Sequence, residues 1–156
     1  MGMHMVAIAL GGNQGDVRGS FDRAVELLSS EVHGIRRAGI RVTSPVDCVP
    51  GTPDFLNSAL AGEYGGSPME LLELCQGIER SLGRPEVHSS REGRPIDLDI
   101  LLFGGLAMAT PRLVIPHPRM HLRRFVLEPL CEILPDAMVP GQGRTVSELL
   151  EVLDSK

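Results

Sequence analysis

Asp97 and Asp99 stand two residues apart in Pro95-Ile96-Asp97-Leu98-Asp99-Ile100-Leu101-Leu102-Phe103, a stretch whose other residues read as a buried strand. Side chains alternate along a strand, so residues two apart share a face, with Cα atoms about 6.5–7 Å apart. Two like charges at about 7 Å repel by about 2 kcal/mol at an effective dielectric near 20, on top of any burial cost. A hard divalent cation relieves that repulsion, and Mg²⁺ held by one or two carboxylates plus substrate phosphates is its common form. Phosphate chemistry is therefore the first expectation. Two alternatives stand beside it: a strand face that only meets water, and an acid/base pair of the glycosidase kind, with carboxyls about 5–5.5 Å apart in retaining enzymes. Acid/base partners need unlike environments, whereas neighbours on one strand face share theirs, which favours joint metal binding.

Other residues could serve the same chemistry. Arg84, Arg91 and Arg94 fall in the loop before the aspartates, where guanidinium forks suit phosphate oxygens. A solvated basic loop is the plainer account. His117 lies between Pro116 and Pro118, which restrict the backbone on both sides, with Arg119, Arg123 and Arg124 close behind. A structural histidine and a phosphate-binding one are equally open. Asn57 can offer donors and an acceptor to a heterocycle or simply satisfy a loop. Phe55 and Phe125 read first as core residues. The turn Gly11-Gly12-Asn13-Gln14-Gly15 is not a GxGxxG motif and by itself is weak evidence of phosphate binding.

The elements that must position these residues follow from periodicity. Met5–Leu10 reads as a strand, and Asp16 caps a helix over 17–29 with Val17, Phe21, Ala24, Val25 and Leu28 on one face. A second strand is expected from Ile35 to Thr43, then a Pro-rich loop over 44–53, then a third strand over Phe55–Tyr64. Ser67-Pro68-Met69-Glu70 has the form of a capping box with proline at N1. The helix it opens buries Leu71, Leu72, Cys75, Ile78 and Leu82, leaves Gln76, Glu79 and Arg80 off that face, and stops at Gly83. After the aspartate strand come the turn Gly104-Gly105, a strand over Leu113–Ile115, a helix over Arg119–Ile133 despite Pro129, and a short helix over Ser147–Leu153. The order β-α-β-β-α-β is the ferredoxin-like pattern, an α+β fold with helices on one face of a mostly antiparallel sheet and C-terminal additions. At 156 residues the chain reads as a single domain, 1–156.

Composition narrows the classes. A net charge of −5, one Tyr, four Phe and no Trp argue against a nucleic-acid binder. The only lysine is Lys156, which excludes a Walker A loop and Schiff-base chemistry at an internal lysine. A nucleotide, if bound, is handled by arginine. Cys48, Cys75 and Cys131 are widely spaced and read as idle thiols. No apolar run reaches the length of a membrane span, and the N-terminus lacks a basic region followed by an apolar stretch, so a cytoplasmic protein with no membrane or nucleic-acid partner is expected.

Taken in order, Ala9-Leu10-Gly11-Gly12-Asn13-Gln14-Gly15-Asp16, Pro53-Asp54-Phe55-Leu56-Asn57, Glu79-Arg80-Ser81-Leu82-Gly83-Arg84, Arg94 through Gly104 and Ile115-Pro116-His117-Pro118-Arg119-Met120 cover nearly the whole chain. Together they resemble the 6-hydroxymethyl-7,8-dihydropterin pyrophosphokinase family of folate biosynthesis. The resemblance implies an ATP-dependent diphosphokinase that transfers pyrophosphate to the pterin's hydroxymethyl oxygen and releases AMP. It implies two Mg²⁺ ions bridged by Asp97 and Asp99, and ATP contacts at Gln76, Glu79, Arg84, Arg94, Ile100, His117 and Arg123. Arg84 and Arg94 are implied to be catalytic alongside the aspartates, by neutralising developing charge. The pterin is implied to lie between Phe55 and Phe125 against Asn57, with Ser44 and Pro45 lining its pocket, which replaces the core reading of the two rings. The small-molecule substrates, ATP and the reduced pterin, are the expected partners of a monomer. The chain departs from the family in the loop, where Ser90-Arg91-Glu92-Gly93-Arg94 replaces Arg-Trp-Gly-Pro-Arg and leaves no Trp to cover the pterin. The rival readings are a ferredoxin-like ligand-binding module with weakened catalysis and an RNA-binding domain, the latter disfavoured by charge.

Overall fold

The structure, a computed structural model, describes residues 2–44, 51–83 and 95–156. The expected loop over 84–94, most of the Pro-rich loop and Cys48 lie outside these residues. The chain runs β1 (His4–Gly12), α1 (Val17–Leu28), β2 (Val32–Arg37), β3 (Arg41–Thr43), β4 (Phe55–Tyr64), α2 (Pro68–Ser81) and β5 (Asp97–Phe103). It continues through β6 (Met108–Ala109), β7 (Val114–Ile115), a 3₁₀ turn (Met120–Leu122), α3 (Arg124–Ile133), β8 (Met138–Val139), β9 (Arg144–Thr145) and α4 (Val146–Asp154).

The main sheet has the order β2-β4-β1-β5, with β3 also on β4, and its pairs are antiparallel. This is the expected ferredoxin-like α+β fold. Local chemistry starts the helices as read: Asp16 accepts from the Gly19 N–H, and Ser67 and Glu70 form the capping box of α2, a device that contributes about 1 kcal/mol. Val6, Ile8, Leu10, Leu60, Leu98 and Ile100 face α1 and α2, packing against Phe21, Leu28, Leu71 and Cys75. The opposite face carries Ala7, Ala9 and Ala59 and packs against Val126, Leu127 and Leu130 of α3 and Val146 and Leu149 of α4. Helices on one face therefore hold for α1 and α2 only; the C-terminal additions form a second layer on the other.

Three departures from simple periodicity matter for the site. Ala7 pairs with Leu102 but Ile8 pairs with Ile100, so Leu101 is an extra residue in β5. This bulge turns Phe103 onto the α1/α2 face while Asp97, Asp99 and Leu101 keep the α3 face; unbroken alternation would put Phe103 with the aspartates. The strand expected over 35–43 is two strands: Arg37 faces Leu60 and Arg41 faces Asn57, one residue more than β4 supplies. The helix expected over 119–133 breaks at Arg123, whose extended backbone closes the 3₁₀ turn and opens α3, and not at Pro129, which lies inside α3.

Candidate active site

The antiparallel register brings the C-terminal end of β1 beside the N-terminal ends of β4 and β5. Gly11 of β1 stands opposite Asn57 of β4 on one side and Asp97 of β5 on the other; one pleat on, Ala9 stands between Ala59 and Asp99. Strands lie about 4.8 Å apart, so the central column of small residues forms a trough about two strand spacings wide, with Asn57 on one bank and the aspartates on the other. Arg123, Phe125 and Val126 at the start of α3 close it from above, leaving a cavity of about 510 Å³ that Phe55, Asn57, Asp97, Asp99, His117 and Ser44 also line.

Asp99 is exposed into this cavity and Asp97 is half-buried, so the pair is not interred in the core as the apolar flanks imply; its neighbours point the other way. Among the described residues no third His, Cys, Asp or Glu joins them as a metal cluster. Two hard oxygen donors on one face, open to a cavity, fit Mg²⁺, which takes one or two carboxylates and completes its shell with water and substrate phosphates.

His117 is held against β5 by its own N–H, which donates to the Leu101 carbonyl at 3.1 Å. Its Nδ1 accepts from the Arg119 N–H at 3.3 Å, which leaves Nε2 as the protonated nitrogen of the neutral ring. Burial lowers its pKa below the ordinary histidine value; Asp99 opposes this, and Arg123 and Arg119 add to it. Phe125 is 41 % exposed, with the Arg123 guanidinium carbon 5.6 Å from its ring centroid. It is a cavity residue and not a core one, as the resemblance implies.

A second cavity of about 270 Å³ lies along β5 and β7, lined by Leu98, Ile100, Thr110, Arg112 and Pro118, and Asp99 and His117 line it as well. Arg112 reaches Gln76 Oε1 at 3.5 Å. Asp99 and His117 thus stand at the junction of two cavities, one walled by aromatic rings and an amide and the other by Arg112, Thr110 and apolar residues of β5 and β7. Ile100 presents only its strand position there, because its side chain is buried under α2. Glu79, read as lying off the apolar face, is 8 % exposed, and its Oε2 accepts from the Leu98 N–H at 2.8 Å. Burial raises the Cys75 pKa to about 12, in keeping with an idle thiol.

Ser44, Phe55, Asn57, Asp97, Asp99, His117, Arg123 and Phe125 are brought together; Gln76, Glu79 and Ile100 surround the second cavity or the strand beside it. Pro45, Arg84 and Arg94 lie outside the described residues. Sequence reasoning missed Thr43, whose Oγ1 accepts from Asn57 Nδ2 at 3.2 Å, and Arg112, which lines the second cavity. The signal for Thr43 was its position on the strand that pairs with Asn57.

The model of the 7,8-dihydro-6-hydroxymethylpterin-pyrophosphokinase (HPPK) family matches residues 7–135. The chain is 35 % identical to a 2-amino-4-hydroxy-6-hydroxymethyldihydropteridine pyrophosphokinase of Synechocystis, over 97 % of this chain and 77 % of that protein. It is 44 % identical to the Bacillus subtilis protein of the same description, over 81 % of this chain and 75 % of that one. A crystal structure of a Plasmodium falciparum HPPK-DHPS triple mutant superposes with a TM-score of 0.78 at 13 % identity, over 99 % of this chain and 44 % of that one, a likeness of fold. With the fold, the trough and the aspartate pair in place, these matches assign the chain to the 7,8-dihydro-6-hydroxymethylpterin-pyrophosphokinase family.

Proposed function

We propose that this chain transfers pyrophosphate from ATP to the hydroxymethyl oxygen of 6-hydroxymethyl-7,8-dihydropterin, releasing AMP, as a step of folate biosynthesis. The observation that carries the reading is the junction: Asp99 and His117 line both cavities, so a group bridging the two passes beside them. The pterin fills the larger cavity between Phe55 and Phe125, with its amide edge on Asn57; the nucleotide lies in the smaller one, along Leu98–Ile100 and Arg112. The pterin hydroxyl oxygen attacks the β-phosphorus, the bond from that phosphorus to the α,β-bridging oxygen breaks, and the hydroxyl proton passes to solvent.

Two bound Mg²⁺ ions would supply charge neutralisation for the attacking and leaving oxygens. Asp97 and Asp99 would hold them. His117, neutral and donating from Nε2, and Arg123 orient phosphate oxygens at the junction. Arg84 and Arg94 neutralise the charge that develops on transfer, an assignment that rests on the family resemblance alone. No covalent nucleophile is required, because positioning and electrostatics carry phosphoryl chemistry of this kind. The chain acts as a single pyrophosphokinase domain, monomeric and cytoplasmic; among the described residues no helix is long and apolar enough to cross a membrane.

The test is to incubate the protein with Mg²⁺, ATP and the reduced pterin and to identify the nucleotide product. AMP in equal amount to pyrophosphorylated pterin is expected. ADP would make it a different kinase, and no product would favour a binding module.

A further inference from the structure

We propose that Glu132, remote from the reacting atoms, is a positioning residue that sets the pterin side of the site by tying α3 to β3. This rests on the assignment of the 510 Å³ cavity to the pterin. Glu132 lies seven residues after Phe125 on α3, two turns along and on the same helix face. Its carboxylate crosses to the break between β2 and β3: the Gly39 N–H donates to both oxygens, at 3.2 and 3.1 Å, and Arg41 Nη1 donates to Oε1 at 2.6 Å. The same Arg41 nitrogen donates to the Gly39 carbonyl at 2.8 Å. The break is where β2 and β3 shift register by one residue on β4, and Glu132 takes the backbone donor at that point.

What the anchor positions is β3, three residues long and, among the described residues, paired with β4 alone. Arg41 stands opposite Asn57, and Thr43 stands opposite Phe55. Thr43 Oγ1 accepts from Asn57 Nδ2, while Asn57 Oδ1 lies over Gly11, 3.3 Å from where a Cβ on Gly11 would stand. Thr43 therefore decides which way the Asn57 amide presents its donor and acceptor to the cavity. β3 places Thr43, and Glu132 places β3 relative to the helix that carries Phe125. An exposed Arg–Glu pair alone contributes little; here the carboxylate also holds a backbone donor at a strand break, which gives the contact a direction.

The experiment is a comparison of Glu132→Ala, Glu132→Gln, Thr43→Val and Asn57→Ala in the full chain. The readouts are KM for each substrate, kcat, and calorimetric binding of 6-hydroxymethyl-7,8-dihydropterin in the presence of a non-hydrolysable ATP analogue. Glu132→Ala and Thr43→Val are expected to weaken pterin binding and raise pterin KM about five- to tenfold, the loss of one directed hydrogen bond. ATP KM stays within about twofold of wild type, because the nucleotide cavity shares no wall with β3. Glu132→Gln recovers most of the loss, since its amide oxygen still accepts from Gly39. Should Glu132→Ala fold poorly, Thr43→Val, which leaves the anchor untouched, carries the same selective prediction. If Asn57→Ala weakens pterin binding while Glu132→Ala and Thr43→Val do not, or if they weaken ATP equally, the positioning role is overturned. If Asn57→Ala also leaves pterin binding intact, the cavity assignment falls and the inference falls with it.

Discussion

The backbone N–H of Leu98, the residue between Asp97 and Asp99, donates to the buried Oε2 of Glu79 at 2.8 Å. Among the described residues β5 is an edge strand, whose outward N–H groups meet no neighbouring strand there. Glu79, reaching from α2, satisfies one of them at the point that fixes where both aspartates stand. Glu79→Ala is expected to cost about 1.5–3 kcal/mol, the worth of a hydrogen bond to a charged group, read from urea unfolding. It should also raise the Mg²⁺ concentration for half-maximal rate, with Glu79→Gln intermediate in both. A raised ATP KM with an unaltered Mg²⁺ titration would assign Glu79 to the nucleotide instead.

Asp97→Asn and Asp99→Asn should each reduce turnover by about a thousandfold or more while leaving thermal unfolding close to that of wild type. The stability part follows because asparagine has the shape of aspartate and keeps a side-chain oxygen that accepts hydrogen bonds. AMP release with Mg²⁺ and ATP in excess measures the first, and circular dichroism melting the second. Near-normal turnover in either variant would remove the metal assignment.

Gly11 is the floor of the trough, and a Cβ there would come within 3.3 Å of Asn57 Oδ1. That contact is tight but involves a side-chain tip. Gly11→Ala is therefore expected to fold, with a stability change within about 1 kcal/mol, because alanine restrains the unfolded strand more than glycine does. Its pterin KM should rise about tenfold as the amide is displaced. An unchanged pterin KM would show that the Asn57 amide does not need the position it holds over Gly11.

Much of the fold was legible because it is local. The capping box at Ser67–Glu70, the apolar face of α1 and the alternation that sets Asp97 and Asp99 on one face are all read within a few residues. What was not legible depends on partners far along the chain. The break at 38–40 is held by Ser58, whose hydroxyl donates to the Ala38 carbonyl, and by Glu132, so the one mark of it within Ile35–Thr43 is Gly39. Glu79 was misread by residue type: it lies four residues after Cys75 and one after Ile78, on the buried side of α2, but a carboxylate is by default assigned to water. β7 was expected as the strand over Leu113–Ile115, but its partner β6 and the ladder β8–β9, two residues to a strand, are too short for any period to register. The site itself was legible from resemblance; its trough, made by Gly11 and Ala9 between longer side chains, needed the register.

The His117 environment gives a pH test that needs neither metal nor substrate. Burial is the main cause of its lowered pKa, with Arg123 and Arg119 adding to it and Asp99 opposing. A histidine whose folded-state pKa lies below its unfolded value takes up its proton on unfolding. The unfolded chain then binds more protons than the folded one between the two values, and stability falls as pH falls through that window. The stabilisation from the neutral ring is therefore present above the unfolded pKa of about 6.5 and lost below it. With a chelator present, the melting temperature of the wild type should fall more between about pH 7.5 and about pH 5.5 than that of His117→Asn, which has no proton to take up. Asparagine keeps a side-chain group able to accept from the Arg119 N–H, so the difference reports titration and not the lost contact. Equal falls in the two proteins would show that His117 takes up no proton on unfolding, and would remove the neutral ring assigned to the junction.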